Sequence, residues 1–566
     1  MTPHPYSPDL VMLNGMIHTM DRHNQQSQAI AIKGKRIMAL GSNEAISAIA
    51  DSSTQRIDLG GRLVLPGLMD SHFHFYDWAM GKKQLELANE ISLEQLLKKV
   101  SKTARTMPGG NWILGQGWNE SDWPEHTMPD RDCLDAAAPN HPVALWRCDL
   151  HLVAVNSMAL TLAGIGKDTP NPEDGIIEKN ASGEPTGILR ELAPNMIKAV
   201  IPDPGSKDIV AAMQDGISHL HSLGLTGIHD VRLMGGLEGA TALKAWQLLN
   251  EKDELTLRCW VSLPGERLEE AAALGLRTGM GGDRLRIGHL KYFADGGMGA
   301  RTAWMIEPYL DAEYGMPLSS VDELKRAVQA AEKAGLAVII HAIGDRTNRE
   351  IITLFEELAE TRKANGDSSY APPLLPHRIE HTQMIRPQDI TRLAKLGVAA
   401  CVQPHNMILD INMIQNSVGP LGRHTYAYKE MIDAGIPIMF SSDAPVCDPS
   451  PLVGVHAAVT RQRRDGTPAG GWYPDQRVSV EQAVRGYTTV PAAFYGRSQE
   501  LGTLTPGKKA DIIVLNQNIF KIDPMEIAET QVDLTLFDGR IVYALSLIHI
   551  SEPTRLRRKS RMPSSA

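Results

Sequence analysis

Residues 63–75 read LVLPGLMDSHFHF, an apolar run broken by Pro-Gly that closes on two histidines two positions apart. On an extended chain, side chains two apart point to one side, so His72 and His74 at a strand end aim two imidazoles at one point. Neutral imidazole ligates zinc and similar ions, and Asp70 lies beside the pair. The pattern alone also fits two satisfied polar residues at a barrel mouth; what gives it weight is repetition downstream. Further strand-like runs follow: LTGIHD (225–230), LRCWVSLPG (257–265), RIGHLKYFADG (286–296), LAVIIHAIGD (336–345), HRIEH (377–381), VAACVQP (398–404) and IPIMFSSDAP (436–445). They alternate with amphipathic helical patterns such as VDELKRAVQAAEKAG (321–335), which predicts βα units around a parallel sheet. With the first run the strands number eight, enough to close a (β/α)8 TIM-type barrel. Nearly all end in His, Asp, Lys, Gln or Pro, as expected of a catalytic rim.

Each successive strand end adds a candidate. His341 and His381 close their runs, and either alone would more often be a structural histidine than a ligand. Asp443, in SSDAP, can ligate a metal and move a proton, and the same string also reads as a helix start. Lys291 at a buried strand end is costly if charged and unpaired. Carbamylated by CO2 it would become an anionic bridge between metals; otherwise it pairs with Asp295 or another carboxylate.

The chain's two ends are β-rich. DLVMLNG, MIHTMD, AIAIKGKRIMALG and RIDLGGRLVLPG precede the barrel, while ADIIVLNQNIF and VDLTLFDGRIVYA follow it. Residues 1–65 and 495–544 are therefore expected to form one composite β-sandwich, with 66–80 and 221–494 as the barrel. Residues 81–220 are too long for one βα connection and predict an inserted α+β domain after the first barrel strand. Its segment NWILGQGWNESDWPEHTMPDR (111–131) is either a lid lining the site, with Trp118 towards substrate, or an insertion core built on Trp112, Trp118 and Trp123. Residues 545–566 are basic and Ser-rich, look foreign to the natural chain and are set aside.

Composition fits a large soluble enzyme. Of 566 residues, 43% are hydrophobic and 22% charged. The net charge of −9 argues against nucleic acid or an anionic membrane as partner. Five scattered cysteines without a CxxC pair give neither a disulfide framework nor a thiolate zinc site. No membrane span or signal peptide is read, so a cytoplasmic location, a small-molecule substrate and a homodimer are the defaults.

These strings resemble the amidohydrolase superfamily, in the YtcJ-like subgroup that includes N-substituted formamide deformylases. The likeness runs from about residue 9 to 544. It rests on IDLGGRLVLPGLMDSHFHF, GEPTGILRE, KYFADGGMGARTA, HAIGDRTN, RIEHTQ, SSDAPV and LGTLTPGKKADIIVL, in the family's order. The resemblance implies the same barrel, composite β-domain and insertion. It implies a divalent metal, zinc first, as one or two ions: His72 and His74 on one, His341 and His381 on a second. Lys291 is implied as the carboxylated bridge, and Asp443 as ligand and catalytic acid/base. The implied reaction is hydrolysis of a carbon–nitrogen bond, amide-like, N-formyl or N-acyl, by metal-activated water, with Arg301 or His151 helping to hold the oxyanion. The seventh strand departs from the pattern, since relatives carry their histidine one position later than CVQPHN does. That leaves substrate contacts by Gln403 and His405 in doubt. A ring deaminase, or a silent regulatory relative, is the alternative.

Overall fold

A computed structural model describes residues 7–23, 26–202, 204–232, 239–365, 373–545 and 550–551. The strands of its central sheet are β1 (Leu68–Phe73), β2 (Leu225–Asp230), β3 (Arg258–Pro264), β4 (Leu285–Phe293), β5 (Val338–Ala342), β6 (Arg378–His381), β7 (Ala399–Val402) and β8 (Ile438–Phe440). They follow one another in chain order and every pair is parallel. Side chains on both faces of most strands are buried, as a sheet wrapped by helices requires. The sheet curls until β1 meets the end of β8: Asp443 N–H donates to His72 O (2.9 Å) and His74 N–H to Ala444 O (2.9 Å). Asp70 stitches the same seam, accepting from His72 N–H (3.1 Å) and Ser442 N–H (3.0 Å).

The helix between β4 and β5 begins where the sequence supplies a cap. Val321–Lys333 opens on a capping box, with Ser320 Oγ accepting from Glu323 N–H while Glu323 accepts from Ser320 N–H. It buries Leu324, Val328 and Ala331 at helical spacing against the barrel.

The opening run LVLPGLMDSHFHF holds two strands, not one. Leu63–Pro66 pairs antiparallel with Ile512–Leu515 in a separate six-stranded sheet, and only Leu68–Phe73 enters the barrel. Gly67 makes the transition, since a side chain there would meet Thr226. The six-stranded sheet draws on both ends of the chain and faces a five-stranded sheet of N-terminal strands and Ile550–Ser551. Their shared core contains Leu10, Ile30, Ile57, Val64, Ile512 and Leu534. A third, six-stranded sheet spans residues 85–191, with Leu93–Thr106 and Arg131–Ala137 packed on one face. Helix Ser206–Ser222, mostly inside the range expected for the insertion, instead buries Ile209, Met213, Ile217 and Leu220 in the barrel core. Most of the expected tail, 545–566, lies outside the described residues. Among the described residues no helix is long and apolar enough to cross a membrane.

Barrel and terminal sheets are locked by charge. Arg258 of β3 is buried and bonds Asp511 (2.7 and 3.0 Å), Asp538 (2.6 Å) and Asp283 (3.0 Å). Arg497 and Lys509 (2.7 Å) also hold Asp283. Burial would raise the carboxyls of Asp283 and Asp538, but these cations outweigh it and hold both below the usual range. Groups depressed on folding stabilise the fold above their unfolded pKa of about 4 and lose that contribution as pH falls through the folded value. Asp283→Asn is therefore expected to flatten the acid limb of the stability–pH curve below about pH 4, read by chemical denaturation at stepped pH.

Candidate active site

The C-terminal strand ends deliver His72 and His74 from β1, Lys291 from β4, His341 from β5, His381 from β6 and Asp443 just past β8. All six are buried and all line one cavity of about 740 Å³. Asp443 Oδ1 lies 3.3 Å from His72 Nε2 and 3.0 Å from His74 Nε2, and its other oxygen is 4.0 Å from His381 Nδ1. Ring centroids of His72 and His381 are 5.0 Å apart, and those of His341 and His381 4.5 Å. Asp443 and His381 hold left-handed backbones (φ 61° and 68°), strain of the kind that collects at functional sites.

The donor set fits a metal ion. His74 Nδ1 donates to Val231 O (2.8 Å), His381 Nδ1 to Gln403 Oε1 (2.9 Å) and His72 Nδ1 to Glu380. Acceptors at Nδ1 leave the lone pair of a neutral imidazole on Nε2. Burial pushes His72 and His341 well below the usual imidazole range and His381 to about 4, which keeps them in the metal-binding form. Burial also opposes charge on His74, but the Asp443 carboxylate beside it outweighs burial and raises its pKa. Asp443 is held well below the carboxylate range by His72, His74 and His381 against the effect of burial. His72 Nε2, Lys291 Nζ and Asp443 Oδ1 are buried without a hydrogen-bond partner, an arrangement that is costly unless a further group completes it. Ligand atoms of His72, His74 and Asp443 lie within 4.8 Å of one another.

Lys291 makes no ion pair with Asp295. That carboxylate instead accepts from Trp304 N–H (3.0 Å), Ile343 N–H (3.0 Å), Gly344 N–H (2.8 Å) and Thr347 Oγ1 (2.7 Å). The lysine amine lies 4.5 Å from the Phe293 ring centroid, and burial brings it down to about 8.

The remaining expected contacts divide. His151 lines the cavity, with its ring 5.4 Å from that of His341 and Nδ1 2.7 Å from Glu191 Oε2. Glu191 is also bonded by Thr302, on the barrel loop after β4. The glycines of KYFADGGMGARTA make this junction possible: a methyl at Gly296 would lie 2.6 Å from Glu191 Oε1, and one at Gly297 3.3 Å from His151. His405 reaches the cavity wall from the start of helix Pro404–Val418. Gln403 does not line the cavity; it braces His381 and donates to Ser441 Oγ (3.0 Å). Arg301 points away as well, its guanidinium bound to both oxygens of Asp311 (2.9 Å each).

Trp118 also corrects the lid reading. It is fully buried in the inserted sheet, donates to Leu145 O (3.0 Å) and packs with Trp123. Trp118→Ala is expected to cost about 3–5 kcal/mol, measured by denaturant titration, with little change in KM for whatever remains folded. The cavity's tryptophan is Trp78, on the helix after β1. Sequence spacing does not single out Glu191 or Glu380: they sit inside GEPTGILRE and RIEHTQ, and a lone glutamate in a strand carries no spacing signal.

A family model described as "Amidohydrolase family" matches residues 55–543. The putative amidohydrolase YtcJ of Bacillus subtilis is 30% identical over 536 residues, 94% of this chain and 99% of that protein. The N-substituted formamide deformylase of Arthrobacter pascens is 27% identical over 551 residues, 94% and 98% of the two chains. Among solved structures, an uncharacterized metal-dependent hydrolase from Pyrococcus furiosus superposes with a TM-score of 0.69 at 28% identity, covering 90% of this chain and 100% of that one. Eight parallel strands, a histidine–aspartate cluster at their C-terminal ends and a family match across most of the sequence converge: the chain belongs to the amidohydrolase family and is a hydrolase.

Proposed function

We propose that the chain hydrolyses an amide-like carbon–nitrogen bond, N-formyl or N-acyl, of a small molecule, with one or two divalent ions, zinc first. The observation that carries this reading is that His72 Nε2, Lys291 Nζ and Asp443 Oδ1 are buried without a hydrogen-bond partner on residues that line one cavity. His72, His74 and Asp443 would hold one ion, with His341, His381 and a carboxylated Lys291 holding a second. A divalent ion bound there lowers the pKa of water towards about 7 and polarises the substrate carbonyl.

Asp443 is the proton carrier. Kept ionised by its histidines, it accepts a proton as water attacks, and returns it to the leaving nitrogen as the carbon–nitrogen bond breaks. His151, anchored by Glu191, stands on the cavity wall beside His341 where a developing oxyanion needs a partner. Lys291 supplies an amine whose proton is loosely held; its nitrogen bonds to the carbon of CO2 and loses a proton, which yields the anionic oxygen donor. The cavity volume is that of an ordinary small-molecule site. The deformylase relative favours an N-formyl substrate over the ring-deaminase alternative.

The test pairs elemental analysis of the purified chain with a panel of N-formyl, N-acyl, cyclic-amide and aminopurine substrates. Stoichiometric metal with formate or carboxylate release supports the reading. Ammonia released only from aminopurines replaces it with deamination, and a metal-free protein that does not bind added zinc replaces it with a binding role.

A further inference from the structure

Each of three imidazoles around Asp443 is hydrogen-bonded at Nδ1, but not to the same kind of group. Neutral oxygens hold His74 and His381: Val231 O at 2.8 Å and Gln403 Oε1 at 2.9 Å. Only His72, of these three, is held by a carboxylate, Glu380. Glu380 is fully buried, so its charge needs a partner inside the barrel. Its second oxygen finds one in Arg378 Nε, also fully buried. Arg378 is fixed in turn, donating to Ser71 O (2.8 Å) and Tyr495 Oη (3.0 Å). Ser71 precedes His72, so one network holds both the backbone and the ring at the end of β1.

The geometry points to Glu380 as a positioning residue that makes His72 a stronger imidazole donor than His74 or His381. Negative charge behind Nδ1 draws that proton towards the carboxylate and leaves more electron density on Nε2 than a carbonyl oxygen does. The inference rests on the proposed reading that His72 Nε2 holds a divalent ion. Glu380 acts through His72 and not as a ligand itself. Both its oxygens are engaged, and its other neighbour Cys401 is a buried thiol beside Ser441 Oγ (3.4 Å) that burial lifts well above its usual range. A purely structural role would need no charge, because a buried ion pair can often be replaced by uncharged groups of similar volume without loss of stability.

The experiment titrates Zn2+ into the chelator-stripped full chain against a competing chelator, for the parent, Glu380→Gln, and Arg378→Met combined with Glu380→Gln. The double variant removes both buried charges together, and near-ultraviolet circular dichroism reports its fold. Both variants are expected to bind Zn2+ about 10–100-fold more weakly than the parent. A folded variant that matches the parent overturns the role of Glu380 while leaving the metal reading intact; a parent that binds no Zn2+ overturns both. Should neither variant fold, Gln403→Glu decides, since it puts a carboxylate behind His381 with the Arg378–Glu380 pair untouched. Tighter Zn2+ binding by that variant supports the inference, and unchanged or weaker binding overturns it.

Discussion

Asp443→Asn is expected to cut turnover by about 10²–10⁴-fold while the chain stays folded and keeps most of its metal. Asparagine preserves the features that seat this residue. Asp443 holds φ 61°, a conformation asparagine tolerates better than most side chains, and its seam bond to His72 O comes from backbone N–H. What the variant loses is charge. The amide cannot take a proton from water, nor return one to the leaving nitrogen. Elemental analysis beside steady-state rates checks this: unchanged hydrolysis at full metal content would remove Asp443 from the proton path.

Lys291→Met is expected to move activity and metal-free stability in opposite directions. The lysine amine is buried with no hydrogen-bond partner, so removing it should stabilise the metal-free chain by about 1–3 kcal/mol. On the proposed reading, in which a carboxylated Lys291 would help hold metal, the metal-loaded variant should bind fewer ions per chain and lose nearly all turnover. Denaturant unfolding of the stripped protein and metal content of the loaded one are the two readings. Native mass spectrometry adds a third, a mass increment of one CO2 on the parent that the variant lacks. A variant that is less stable when stripped yet fully active would place Lys291 in the structure and outside the site.

Local signals were enough for the barrel and its rim. Each of the eight runs expected to form the barrel overlaps a barrel strand, because strands buried on both faces favour apolar stretches and an ionisable residue at their ends then stands out. The same logic exposed His72, His74, Lys291, His341, His381 and Asp443, which meet in one cavity. It failed wherever a residue's role depends on what packs across from it. Trp118 and Arg301 looked like site residues by their neighbours in the chain, yet one fills a core and the other pairs with Asp311. Helix Ser206–Ser222 lay mostly within the expected insertion, but its apolar stripe fits the barrel.

The sequence by itself determined the period and order of the strands and which of them carry imidazole, amine or carboxylate at their ends, since both follow from residue spacing along the chain. Tertiary structure alone decided which groups hold those imidazoles in place: Glu380 on His72, Gln403 on His381, Val231 O on His74 and Glu191 on the cavity-wall His151. Those pairs span 22 to 308 residues of sequence. A hydrogen bond between residues so far apart leaves no periodic trace in the chain; it exists only once barrel closure and the docked inserted sheet bring donor and acceptor together.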